Sequence, residues 1–537
     1  MKKAHLTSPP ARRRALRALG AAMLATSLMA ASGAGAEPRT LTAVMHSGLR
    51  VIDPVITTAH ITRNHAYMIY DTLLSIDENF KAQPQMASWK VSDDGLTYTF
   101  TLRDGLKWHD GAAVTAEDCV ASLQRWAKRD GGGQMMMDYT ASITATDPKT
   151  FTLTLKEPFS YVIELLSKPS AVPAFMMPKR VADTPPDKAI TDTIGSGPFK
   201  FVTAEYQPGV KVVYEKNPDY VPRSEPASAM AGGKVVKVDR VEWVTMPDAQ
   251  TTVNALNAGE IDYYEQVHFD LLPLLQANPE VKVDVLNKLG YQTMGRMNWL
   301  HAPFDNPKIR RAAMLAIGQT DVLNALVGTE EYSKFCKSYY GCGTPLASEA
   351  GTQDIKPEGN IEAAKALLKE AGYDGKPIVL MHPTDVVTLV SQPVVATAAL
   401  RKAGFTVDIQ PMDWQTLVTR RASQKPPAEG GWNIFFTNWV IQEIWNPISN
   451  PMLNGRGKNA WFGWPDDPAI EKLRTEFVKA KTDDERKAIA AKIQQHALEV
   501  GNYITLGQYV VPSAWSTKLT NWVYGAVPVF WSVEKKS

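Results

Sequence analysis

The sequence predicts an α/β protein of more than one folding unit, and three observations carry that prediction. Period-two apolar alternation recurs through the first half of the chain, and strand and helix patterns alternate through the second. The 537 residues, 44% hydrophobic and 21% charged, suffice for two to four cores. That composition excludes a disordered chain, and three cysteines exclude a disulfide-framework mini-protein. A formal net charge of +2, from 58 basic and 56 acidic residues, gives no footprint for nucleic acid.

In chain order, Met1–Ala36 comes first. It opens with Lys2, Lys3, Arg12, Arg13, Arg14 and Arg17, continues through an Ala-rich apolar run and ends Ala34-Gly35-Ala36. A basic start, a short apolar middle and small residues at the end are the pattern of a secretory signal cleaved before Glu37. Arg13-Arg14 leaves both general and twin-arginine export open. Loss of the six basic residues leaves 52 against 56 acids, a net charge of −4. No later run is long enough to span a membrane, so the expected location is periplasmic.

Leu41 to Val44 reads as the first strand. Leu96, Tyr98, Phe100 and Leu102 alternate with threonines between two Asp-Gly turns, which predicts a second. Thr115-Ala116-Glu117-Asp118 is an N-cap with an acid at N3 and opens a helix through Leu123 and Ala127. Gly131-Gly132-Gly133 reads as a short low-complexity segment. Phe151–Leu155 and Lys211–Tyr214 are further strands. Asn306-Pro307 and Asn360 start helices, Gly372 closes the latter, and Thr482–Glu485 is a capping box for a helix to about Leu498. Strands at Ile378–Leu380, Val407–Ile409 and Ile434–Phe436 alternate with them, which predicts a partly parallel sheet.

Cys336 and Cys342 lie six residues apart beside Gly341 and Gly343, and in an oxidising compartment they are expected to form a small-loop disulfide. Cys119 falls on an apolar helix face and is expected to be a buried free thiol. No P-loop, no dinucleotide fingerprint, no metalloprotease helix and no nucleophile elbow occurs. The histidines lack paired helical spacing, so neither a metal nor a cofactor is expected, and no catalytic constellation is visible.

From Trp89 to Gly111, the chain reads WKVSDDGLTYTFTLRDGLKWHDG, followed by Thr115-Ala116-Glu117-Asp118. This closely resembles family 5 of the ABC-transporter solute-binding proteins, the periplasmic dipeptide- and oligopeptide-binding type. Tyr70–Leu74, Gly195–Phe199, Asn217–Tyr220, Pro303–Arg310 and Lys365–Tyr373 match other family patterns in the same order. The resemblance implies a two-lobed, hinged periplasmic binding protein fold with an extra subdomain in the first lobe. Carried over, residues 37–290 and 505–537 form lobe I, with the subdomain at about 69–197, and residues 291–504 form lobe II. It further implies a monomer that captures a peptide or other small organic solute between its lobes and delivers it to the transmembrane subunits of an ABC permease, without chemistry. The rival readings are an exported hydrolase working in the cleft and a solute sensor for a membrane signalling partner.

The candidate ligand residues come from three segments. The loop after the first strand offers His46 and Arg50, and the return segment offers Tyr509. A late loop of lobe II offers Asn438, Trp439, Gln442, Glu443 and Trp445, within a stretch holding five of the fourteen tryptophans. Peptide-binding members usually carry an aspartate after this tryptophan, which pairs with the peptide ammonium. Here Gln442 stands at that position, with Glu443 beside it. Either Glu443 substitutes, or the solute carries no ammonium there.

Overall fold

A computed structural model describes residues 39–536, so the expected signal segment lies outside the described residues. Two mixed sheets organise the chain. The first has seven strands; Thr40–Val44 pairs in parallel with Arg240–Val244 and Tyr263–Tyr264, and Ser513–Ser516 sits between Tyr263–Tyr264 and Val281–Asp284. The second has six strands. Tyr291–Met297 lies antiparallel to Ile434–Val440 and Ile504–Tyr509, while Ile378–Pro383 runs parallel to Ile434–Val440 and Val407–Met412. Ile504–Tyr509 thus closes the second sheet, and the chain re-enters the first at Ser513; the crossing expected at 505 falls inside that strand.

The subdomain is a four-stranded antiparallel sheet, with Ala87–Val91, Thr97–Leu102, Thr150–Leu155 and Thr140–Asp147 adjacent in that order. Phe100 and Phe151, directly cross-strand, stack at 4.9 Å. The helix Ala116–Ala127 covers this face, and Thr115 and Asp118 form the reciprocal capping box. His109 accepts the Gly195 N–H at Nδ1 and places Nε2 3.2 Å from the Gly197 carbonyl. A side-chain carbon on Gly195 would fall 1.8 Å from the Ile69 carbonyl oxygen, so that loop requires glycine by close approach.

One element differs from expectation. Gly131–Tyr139 is a helix whose first turn is the three glycines. Asp130 caps it by accepting the Gly133 N–H, and a β-carbon on Gly133 would lie 2.9 Å from the Ala127 backbone. Tight packing explains the run. Asn306, Asn360 and Thr482 all cap the helices they were expected to start. Cys336 and Cys342 are joined by a disulfide, and Cys119 is a buried free thiol whose pKa burial pushes up. No described helix is long and apolar enough to cross a membrane.

Candidate functional site

The two lobes meet through direct contacts. Thr58, just before the helix His60–Ile69, accepts hydrogen bonds from Trp461 Nε1 (3.2 Å) and Arg421 Nη2 (3.3 Å). Gln415 Nε2 donates to Ser47 (3.2 Å), Thr388 donates to Gln266 (3.3 Å), and His60 Nε2 lies 3.2 Å from Glu443. Arg50 and Asp413 form an exposed ion pair at 3.0 Å across the rim.

Between the lobes lie two spaces. A small cavity of about 30 Å³ is bordered by His46, His60, Tyr291, Trp414, Asn438 and Trp439, with Arg421 also at its wall. A larger one of about 390 Å³ is bordered by Lys128, Gln134, Asn454, Trp461 and Trp464. Thr58 borders both. Local structure aims these walls. Asp413 caps the helix Trp414–Arg420 by accepting the Thr416 N–H, and Arg421 follows as its C-cap. Asn438 and Trp439 end the strand Ile434–Val440, and the Trp439 ring meets Trp461 edge-on at 5.1 Å.

The acids nearby are engaged by the protein itself. Glu443 accepts from the Ser170 hydroxyl, the Ala171 N–H (2.6 Å) and the Val440 N–H (2.8 Å), with His60 at 3.2 Å and Arg63 at 3.9 Å. Burial works to raise its carboxyl; His60, Arg63 and Ser170 overcome that and hold it below the ordinary carboxylate range. Burial and then the Arg63 charge push His60 down, against the pull of Glu443. Ala171 stands at φ +65°, a left-handed conformation uncommon for alanine, where its N–H reaches Glu443. Glu265 likewise accepts from the His46 backbone N–H and lies 2.7 Å from His46 Nδ1.

The buried polar inventory of the small cavity ends in three atoms without a hydrogen-bond partner: Arg421 Nε, Trp439 Nε1 and Asn438 Oδ1. Arg421 is 2% exposed, and no carboxylate lies within ion-pair distance of it among the described residues. Burial lowers its pKa to about 9. Its guanidinium sits 5.0–5.6 Å from the ring centres of Phe462, Trp461 and Trp414.

Of the residues proposed from sequence, His46, Asn438 and Trp439 border the small cavity. Glu443 lies behind His60, saturated by the chain's own donors. Tyr509 stacks on Tyr291 at 5.7 Å where the lobes join, and Arg50 lies on the outer rim. Gln442 faces a different cavity, of about 420 Å³, with Phe80, Leu286 and Tyr524; Trp445 packs against Phe80 at 6.2 Å. Sequence reasoning missed Thr58, His60, Trp414 and Arg421. The signal available for Arg421 was the pair Arg420-Arg421 ending a helix, which reads equally as dipole complement.

A cleft walled by two lobes, each built on its own mixed sheet and joined by adjacent crossings, defines a hinged solute-binding protein. The model of the bacterial extracellular solute-binding proteins, family 5, matches residues 81–462, and the chain belongs to that family. It is 41% identical over 521 residues, 96% of this chain and 97% of the relative, to a probable peptide ABC transporter periplasmic-binding protein of Sinorhizobium fredii. It is 29% identical over 406 residues, 73% of each chain, to the glutathione-binding protein of Salmonella typhimurium. Among solved structures, the Helicobacter pylori periplasmic binding protein DppA with the peptide STSA superposes with TM-score 0.76 at 22% identity, covering 93% of this chain and 98% of that one. A binding protein of A. tumefaciens R10 with mannopinic acid superposes with TM-score 0.77 at 20% identity, covering 93% and 100%. These two share the fold. The chain is therefore the substrate-binding component of an ABC importer.

Proposed function

We propose that this chain is an exported, monomeric receptor that holds a small organic solute in the interlobe cleft and passes it unchanged to its permease. The lobes in this reading are residues 37–290 with the C-terminal return and residues 291 to about 509, with the subdomain at about 69–197. The observation that supports it is the small cavity, whose walls come from both lobes and carry buried polar atoms awaiting a partner. Trp439, Asn438 and His46 contact the solute in this reading, and Trp414 supplies apolar wall. The names of the relatives, peptide and glutathione binders, support a peptide-sized solute. A receptor rather than a hydrolase is supported by the carboxylates at the cleft being occupied by protein donors: Glu443 and Glu265 behind the small cavity, and Asp130, which borders the larger space, by Lys168.

Native mass spectrometry of the protein purified from its host, followed by release and identification of the bound molecule, tests this directly. An intact, stoichiometric molecule is expected; recovery of turnover products would support the hydrolase. Trp439→Ala is expected to weaken binding of that molecule roughly tenfold or more, because a buried aromatic contact is lost. Unchanged affinity would place the solute elsewhere.

A further inference from the structure

We propose that Arg421 makes the small cavity an anion site, so that the imported solute is recognised by a carboxylate or equivalent acidic group and needs no free ammonium. This deepens the proposed function and rests on its placing of the solute in the interlobe cleft. Arg421 is buried, its Nε has no partner, and among the described residues its side chain makes one hydrogen bond, the 3.3 Å contact to the Thr58 hydroxyl. A buried guanidinium without a counter-ion is strongly disfavoured unless something supplies the opposite charge. The aromatic rings of Trp414, Trp461 and Phe462 fix its position without neutralising it.

No nearby acid is free to do so. Glu443 is held by Ser170, Ala171, Val440 and His60, and Glu265 by His46. Asp413 pairs with Arg50, and Asp385 accepts the Trp414 N–H. The histidines that reach the cavity, His46 and His60, stand between it and the two glutamates. Trp439 Nε1 adds a second unpartnered donor from the same cavity lining. The wall of the small cavity thus offers a cation, donors and one unpartnered acceptor, Asn438 Oδ1, to the solute, and among the described residues no carboxylate to pair with an ammonium. The volume of about 30 Å³ matches a head group, and the space of about 390 Å³ beyond Thr58 has room for the remainder of a larger molecule.

The test uses the full mature protein and three acid/amide pairs: succinate with succinamide, alanyl-alanine with alanyl-alaninamide, and N-acetylalanine with N-acetylalaninamide. Thermal unfolding and Trp fluorescence are read with each, alongside the molecule released in native mass spectrometry. At least one acid is expected to raise the Tm while its amide does not, the blocked amino group is expected to be tolerated, and the released molecule is expected to be acidic. Arg421→Met should weaken acid binding roughly ten- to hundredfold, the loss of charge-assisted hydrogen bonds. Arg421→Lys should restore part of it. A purely structural role predicts a lower Tm for unliganded Arg421→Met; an unpaired anion site predicts an equal or higher one.

Equal response to acid and amide, a neutral or cationic released molecule, or wild-type acid binding by Arg421→Met would each overturn the inference. If Trp439→Ala still weakens binding in those cases, the cleft reading survives. A protein purified empty and stabilised by none of the acids would overturn both.

Discussion

The two lobes treat buried charge in different ways. In lobe I and its subdomain three of the four buried cations meet a carboxylate of the same body; the fourth, Arg63, faces Glu443 of lobe II at 3.9 Å. Arg125 forks onto Asp53 at 2.7 and 3.2 Å, Lys234 reaches Asp71 at 2.7 Å, and Lys168 pairs with Asp130. In lobe II, Arg474 pairs with Glu471, but Arg296 and Arg310 have no carboxylate and donate to backbone carbonyls, with Arg296 Nη2 left unpartnered, and Arg421 meets neither carboxylate nor carbonyl. Arg296 donates to the carbonyls of Phe462, Met452 and Asn502, which ties it to the loops around the cleft. The contrast separates charge that holds the fold from charge that the fold leaves available. It also gives three ways to break or sharpen the distinction.

The largest effect is expected from Asp53→Ala, which leaves Arg125 buried and unpaired. Asp53 also accepts the Val55 and Ile190 N–H groups, so the loss should be about 3–5 kcal/mol in urea unfolding. A loss under about 1 kcal/mol would erase the contrast with Arg421→Met.

The second effect concerns pH. Burial pushes His109 down to about 4, and its neutral ring bridges Gly195 and Gly197. The unfolded chain, with a histidine near 6.5, takes up the proton more readily than the folded one. The contribution of His109 is therefore complete above about pH 6.5 and falls away as the pH drops towards 4, by roughly 2–3 kcal/mol. His109→Gln retains a donor and an acceptor, and a flatter stability profile between pH 6.5 and 4 is the expected result.

The smallest effect is expected at the rim. Arg50→Ala removes an exposed interlobe pair with Asp413, and stability should change by about 0–1 kcal/mol, shrinking further in high salt. A larger change would mean that rim charge, rather than the aromatic interior, holds the lobes together.

Local structure was legible in the sequence where its causes are local. The Thr115–Asp118 and Thr482–Glu485 boxes and the Asn306-Pro307 start need only neighbouring residues, and each helix begins where they put it. The family motifs made the two-lobed fold legible as well. The cleft was less so, because its chemistry is assembled from distant positions. Glu443 looked free because its donors, His60, Ser170 and Ala171, lie more than 270 residues away. Arg421 looked like an ordinary helix terminus because the rings around it, Trp414, Phe435, Trp461 and Phe462, span nearly fifty residues. The glycine run at 131–133 reads as low complexity in sequence because the neighbours that demand small size there, Leu165, Ala127 and Asn454, are not visible in composition.

The place of Ser513–Ser516 inside the seven-stranded sheet also sets an order of assembly. Among the described residues Val281–Asp284 joins that sheet only through Ser513–Ser516, so the sheet is incomplete until nearly the whole chain is available. The six-stranded sheet needs nothing beyond Tyr509 and lies wholly within the sequence interval between those two strands. The second lobe is therefore the first that can close, and the first lobe finishes around it. Such long-range closure slows folding, and it makes the late strand Ser513–Ser516 a condition for the first lobe to be whole.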